Sequence, residues 1–231
     1  MLRTETVERT TFELLKALMR DVRLQHFNLV GGTALALYMG HRKSFDLDLF
    51  SQQAFDVNAL EKHLIQTYGF VKHKESDVTL IGFIHDVKLD FIRYDYPLIN
   101  PLCLHDEIRL YSMPDISAMK LVAISQNGTR LKDYVDVAYL STELSLKEML
   151  DTFEMKYPNT HKILALKGLN YYADIDFSVQ IELTNGNFKW KDVEKRISAM
   201  IKYPSKIFPQ FPIEIEREKK TKVISRRQKK L

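Results

Sequence analysis

Two aspartates separated by one residue, Asp46 and Asp48 in the run Ser44-Phe45-Asp46-Leu47-Asp48-Leu49-Phe50, are the chemically most suggestive residues of this chain. The run alternates as a strand does, so both carboxylates project from one face while Phe45, Leu47 and Leu49 take the other. Two carboxylates held parallel repel each other unless a cation lies between them or water surrounds them. Hard oxygen ligands of this kind suit Mg²⁺, which is usually held by one or two carboxylates together with substrate phosphates. Upstream, Gly31-Gly32-Thr33 follows a short apolar segment, Phe27 to Val30, and leads into a helical run, Ala34 to Met39. A glycine pair lets the backbone turn sharply and come close to a ligand. Amide groups at such a turn, with the hydroxyls of Thr33 and Ser44 nearby, can cradle a triphosphate. The basic cluster His41, Arg42, Lys43 lies between the two motifs.

A third acid, Asp90, falls in the strand-like segment Val87 to Arg93, where Lys88, Asp90 and Ile92 share a face. A carboxylate in the middle of a strand is costly without a partner, so this position asks for a cation. The alternative is a solvated acid on an open sheet face. Asp95 competes with it, but lies in a Tyr- and Pro-rich loop.

The ordered set GGT-x-L then R-x-S-x-D-x-D resembles the nucleotidyltransferase superfamily of polymerase-beta-like fold, and more closely the AbiEii toxins of abortive-infection toxin–antitoxin pairs. The resemblance spans roughly residues 10 to 140. It implies an α+β fold: a small mixed β-sheet core flanked by helices, with a mostly helical C-terminal half. It implies Asp46, Asp48 and Asp90 as ligands of two Mg²⁺ ions, or Mn²⁺ in their place, and a nucleoside triphosphate as substrate. Gly31, Gly32, Thr33, Arg42 and Ser44 match the nucleotide-binding positions. Lys120, in P-D-x-x-A-M-K-L, matches a helical lysine that reaches the phosphates; a snorkelling surface lysine is the plainer reading. Arg130-x-Lys132-Asp133-x-x-Asp136 resembles a further family signature. Asp136 or Asp133 is expected to approach the site, and the i,i+3 spacing does not separate them. Both could instead be helix-surface charges paired with Arg130 and Lys132. RNA, notably the tRNA 3′ end, is the implied acceptor, and a cognate antitoxin the implied partner. The rival readings are a small-molecule nucleotidyltransferase of the aminoglycoside-modifying kind, a D-x-D glycosyltransferase, and a catalytically silent binding module of the same fold.

Several elements must position these residues. Amphipathic helices are expected over residues 5–25 and 56–68, the latter with Leu60, Leu64 and Ile65 inward, and strands over Phe70–His73 and Val78–Ile84. A helix is expected from Pro114 and another over Arg130–Leu140, followed by three more between residues 145 and 203. The expected organisation is a catalytic core with its N-terminal helix over 1–112, a helical domain contributing to the site over 113–205, and a linker with a basic tail over 206–231.

The 231 residues are 45% hydrophobic and 28% charged, the balance of an ordinary globular protein. One cysteine, Cys103, excludes an internal disulfide or a multi-cysteine metal site. The charged amphipathic N-terminus lacks a signal-peptide core and no apolar run reaches a membrane span, so a cytoplasmic protein without membrane contact is expected. The net charge of +4 is uneven: residues 216–231 hold eight Lys/Arg and two Glu, leaving the body slightly acidic. The body is therefore not a basic nucleic-acid-binding domain; the tail reads either as a source of phosphate contacts or as a solvated terminus.

Overall fold

The computed structural model describes residues 1–213. After a 3₁₀ turn at Thr4–Thr6 come α1 (Arg9–Arg20), β1 (Asn28–Val30), α2 (Gly31–Met39), β2 (Leu47–Ser51), α3 (Val57–Tyr68), β3 (Val71–Ser76), β4 (Thr79–Ile84) and β5 (Val87–Arg93). They are followed by β6 (Cys103–His105), β7 (Ile108–Leu110), α4 (Met113–Gln126), α5 (Leu131–Leu140), α6 (Leu146–Lys156), α7 (Lys162–Leu169) and α8 (Trp190–Lys202). The seven strands form one mixed sheet in the order β3-β4-β5-β2-β1-β7-β6. The pairs β2–β5 and β1–β7 are parallel; the others are antiparallel. This is the α+β architecture expected from the sequence.

The strands that matter are central and alternate. In β2, Leu47, Leu49 and Ser51 are buried while Asp48 and Phe50 are half-buried; in β5, Val87, Leu89 and Phe91 are buried while Lys88 and Asp90 are half-buried. One sheet face therefore joins the core, and the other carries the acids. Helix α2 has no polar face: Thr33 to Leu37 are all buried, because the helix sits between the sheet and helices α4 and α5. Gly40 closes it in the left-handed region at φ 69°, as glycine can at little cost.

Helix α4 is the axle of the C-terminal helices, packing on α5, α6 and α7. Ser112 caps it by accepting from the Asp115 N–H at 3.1 Å. Some expectations shift at this level. Helix α1 is shorter than residues 5–25, flanked by 3₁₀ turns, and Ile65 of α3 is exposed rather than inward. Within residues 94–106, which read as irregular, β6 forms and pairs with β7, which matches the short strand expected over Glu107–Tyr111. The segment 206–213, expected as linker, packs down: Phe208 and Ile213 join the core and the Phe208 N–H donates to the Ser141 carbonyl at 2.9 Å. The basic stretch of residues 216–231 lies outside the described residues. Among the described residues no helix is long and apolar enough to cross a membrane.

Candidate active site

The acids meet through register. Asp48 of β2 lies directly opposite Asp90 of β5, and Val30, the last residue of β1, lies opposite Asp48 on its other side. Adjacent parallel strands are about 4.8 Å apart, so the two carboxylates rise side by side from one face. Asp46 lies just before β2 and is exposed. The strand thus begins three residues later than its alternation from Ser44 suggests, and Asp46 joins the group from the preceding loop. Burial first, then the neighbouring charges of Asp90 and Asp46, push the Asp48 carboxyl up to about 6, against the opposing pull of Lys120 and Lys88. The Asp90 carboxylate is held by the Lys88 ammonium at 2.7 and 2.9 Å. Among the described residues no three His, Cys, Asp or Glu side chains converge on one point at ligand distance.

Beside the acids, α2 opens at Gly31, three residues before the helical run read from Ala34. Gly31 has φ 70°, and a Cβ there would fall 2.1 Å from the Asp48 Oδ2. Only glycine allows this helix start to lie against this carboxylate. The N–H groups of Gly31, Gly32 and Thr33 belong to the first turn, where they lack helical partners. The Thr33 hydroxyl donates to the Asp46 carbonyl and lies 2.8 Å from the Ser44 hydroxyl, tying the helix start to the acid-bearing loop.

Below them lies a buried charge network. Asp136 of α5 is 0% exposed and accepts two bonds from Arg42, Nε at 2.7 Å and Nη2 at 2.9 Å, and one from His41 Nε2 at 2.9 Å. Its second oxygen is 2.8 Å from the Lys120 ammonium, which bonds Asp133 at 2.6 Å. Burial opposes every charge here, but Arg42 and then Lys120 outweigh it and hold Asp136 well below the usual carboxylate range. Lys120 and Arg42 are correspondingly raised by their carboxylates in spite of burial, whereas burial prevails at His41 and lowers it. The His41 Nε2 faces Asp136, and its Nδ1 has no hydrogen-bond partner among the described residues.

This placement sorts the expected residues. A cavity of about 280 Å³ is lined by Gly31, Asp48, Lys120 and Asp133, among others. Asp133, not Asp136, faces it; Asp136 is enclosed by its partners. Arg42, expected at the nucleotide, spends its guanidinium on Asp136 and lies against the helix start, where a Cβ on Gly32 would fall 2.3 Å from its Nη2. It is 3% exposed, and its remaining bond goes to the Lys43 carbonyl at 2.9 Å. Ser44 is buried against Thr33. Arg130, 3.5 Å from Asp133 and largely exposed, supplies a cavity cation instead.

Sequence reasoning missed the aromatic part of the lining: Tyr94, Tyr96, Tyr157 and Phe50. It also missed the buried Asp115–Lys156 pair, 2.9 Å apart, behind them. For Lys156 a signal existed, since it follows Met149 and Phe153 at i+7 and i+3 on the apolar face of α6.

A helix N-terminus with two glycines set against paired strand carboxylates is the arrangement of a nucleotidyltransferase. The family model described as "Nucleotidyl transferase AbiEii toxin, Type IV TA system" matches residues 13–171. The chain belongs to this AbiEii nucleotidyltransferase toxin family. It is 32% identical over 182 residues to the Aquifex aeolicus protein aq_aa25, covering 76% of this chain and 86% of that one. Among solved structures it is similar to MenT4, a nucleotidyltransferase toxin of Mycobacterium tuberculosis, with a TM-score of 0.54 at 14% identity, covering 81% of each chain. It is also similar to JHP933 of Helicobacter pylori, with a TM-score of 0.50 at 18% identity over 86% of this chain and 93% of that one. These two likenesses concern the fold.

Proposed function

We propose that this nucleotidyltransferase transfers a nucleoside monophosphate from a nucleoside triphosphate to a hydroxyl of RNA, with the tRNA 3′ end as acceptor, and that a cognate antitoxin restrains it. The observation that carries the transfer chemistry is the register pair Asp48–Asp90 set against the Gly31–Gly32 helix start. The donor set fits a divalent cation. Its carboxylates are hard oxygen donors, and Asp48 is raised by the charges of Asp90 and Asp46, a repulsion that a cation between them would relieve. Asp46, Asp48 and Asp90 would hold two Mg²⁺ ions. Bound there, such ions offset phosphate charge and favour ionisation of the acceptor hydroxyl.

The chain's own groups do the remaining work. The free amides of Gly31, Gly32 and Thr33 bind phosphate oxygens at the positive end of α2. Lys120, charged and fixed by Asp133 and Asp136, lies at the cavity wall where negative charge develops. Arg42 acts through Asp136, holding α5 against the loop that carries Asp46. In the reaction the acceptor oxygen bonds the α-phosphorus, the bond to the bridging oxygen breaks, pyrophosphate leaves, and the hydroxyl proton passes to solvent. Mostly this is positioning and electrostatics, as phosphoryl-type transfers are. The basic segment beyond residue 215 adds RNA phosphate contacts.

The test is transfer of α-phosphate label from each of the four nucleoside triphosphates to total tRNA with Mg²⁺, comparing the native chain with Asp48→Asn/Asp90→Asn. Label on tRNA that disappears in the variant supports the proposal and identifies the nucleotide. An active protein that labels a small hydroxyl compound but no RNA would refute the acceptor. Failure to bind nucleotide at all would refute the chemistry.

A further inference from the structure

The chemistry above leaves the aromatic wall of the cavity unused. Tyr94 and Tyr96 come from the loop after β5, Tyr157 from the end of α6, and Phe50 from β2. Tyr96 stands edge-on to Tyr157 with ring centres 4.7 Å apart, and tilted against Tyr94 at 5.1 Å; Tyr94 is 5.1 Å from Phe50. The Tyr94 and Tyr157 hydroxyls bond each other, so their polar ends are used internally. Tyr157 is 2% exposed, but Tyr96 is 44% exposed. The outermost ring is braced by two others and remains accessible.

Its loop is held at many points. Asp115 and Lys156 are both fully buried. Asp115 accepts from the Ile99 N–H at 3.0 Å, the Asn100 N–H at 2.9 Å and the Ser112 hydroxyl at 2.7 Å. Lys156 donates to Asp115 and, at 2.6 Å, to the Pro97 carbonyl. The Tyr96 carbonyl accepts from the Gln52 side chain at 2.9 Å, and the Tyr94 N–H donates to the Ser51 carbonyl at 2.7 Å. Burying an ion pair is seldom favourable on its own account. Here it fixes the path of the chain from Pro97 to Asn100, next to Tyr96.

Helix α4 sets the spacing. The aromatic loop is tied to its first turn at Asp115, and Lys120 follows five residues later, roughly 7.5 Å along the axis at 1.5 Å per residue. One continuous cavity joins Gly31, Asp48 and Lys120 to Tyr96. A nucleotide with its phosphates at the glycines shares this cavity with the ring.

We infer that Tyr96, braced by Tyr94 and Tyr157, is the platform on which the base of the incoming nucleoside triphosphate stacks. The inference rests on the proposed nucleotide chemistry at Gly31–Gly32 and Asp48. Every base has a π face, so the platform supplies affinity and orientation without choosing among the four nucleotides.

The test is calorimetric binding of each nucleoside triphosphate, and of inorganic tripolyphosphate, to the full chain with Mg²⁺. Tyr96→Ala should weaken all four nucleotides by roughly tenfold or more, the usual scale for one lost stack, and leave tripolyphosphate unchanged. Tyr96→Phe should bind as the native chain does. Unchanged nucleotide affinity in Tyr96→Ala overturns the platform while the phosphate site stands. An equal loss of tripolyphosphate overturns it too, since the ring would then act on the phosphate site or the fold. Unchanged nucleotide binding with a raised KM for RNA would assign the ring to the acceptor. If the native chain binds neither probe, the nucleotide chemistry fails and the platform with it.

Discussion

At the scale of single residues, the site stores an electrostatic conflict. Asp48 is half-buried beside Asp90 and Asp46, and its carboxyl is raised to about 6, from an unfolded value near 3.9. The folded state therefore holds this proton more tightly than the unfolded chain. The stability linked to it is complete below the unfolded value and is lost as pH rises through about 6. In metal-free protein, thermal midpoints should decrease as pH rises from about 4 to about 6.5, and Asp48→Asn should flatten that dependence. The same variant should be more stable than the native chain at pH 7.5, on the order of 1 kcal/mol, while transfer activity is lost. A variant less stable than native at pH 7.5 would count against the conflict. The acids and glycines behind it were legible from type and spacing. The partners of Arg42 and His41 were not, because Asp136 is more than ninety residues away and reaches them only through packing.

Among elements, α5 does the most with the least sequence signal. All of its residues except Lys132 are buried, so both of its acids needed partners, yet an i,i+3 pair gives no clue to which acid faces a cavity. Rotation of the helix about its axis decides that, and packing against α2, α4 and α8 sets the rotation. The two acids should accordingly behave differently. Asp136→Asn leaves Arg42 and Lys120 buried without their shared counter-charge and should cost about 3–5 kcal/mol in urea unfolding. Asp133→Asn should cost clearly less, since Lys120 keeps Asp136, but should reduce nucleotide binding. Equal destabilisation by the two would contradict this division. The Asp115–Lys156 pair follows the same logic between α4 and α6. Lys156→Met should destabilise by about 3–5 kcal/mol, and adding Asp115→Leu should restore part of the loss, because the uncompensated charge is removed.

For the whole molecule, the sheet and the C-terminal helices share the site: β2 and β5 bring the acids, α2 the amides, α4 and α5 the lysine and Asp133. Residues 208 and 213 close the described chain onto the core, and the strongly basic stretch lies beyond them. Deleting residues 214–231 should weaken RNA binding and reduce the slope of log affinity against log salt, as expected when phosphate contacts are removed. Electrophoretic binding assays at several salt concentrations would measure this; an unaltered slope would exclude the tail from RNA contact.

Local order was written in the chain itself: glycines that only a tight helix start tolerates, acids at strand spacing, Asp56 and Gly69 bounding α3, and alternation that assigned β4 and β5. Each of these depends on steric and periodic rules that act over a few residues. Tertiary structure alone decided the parallel register that sets Asp48 against Asp90, the withdrawal of Arg42 and Asp136 into a buried network, and the exposure of Tyr96 at the edge of the aromatic wall. Those outcomes depend on which distant surfaces pack together, and a burial or pairing energy has no counterpart in spacing along the sequence.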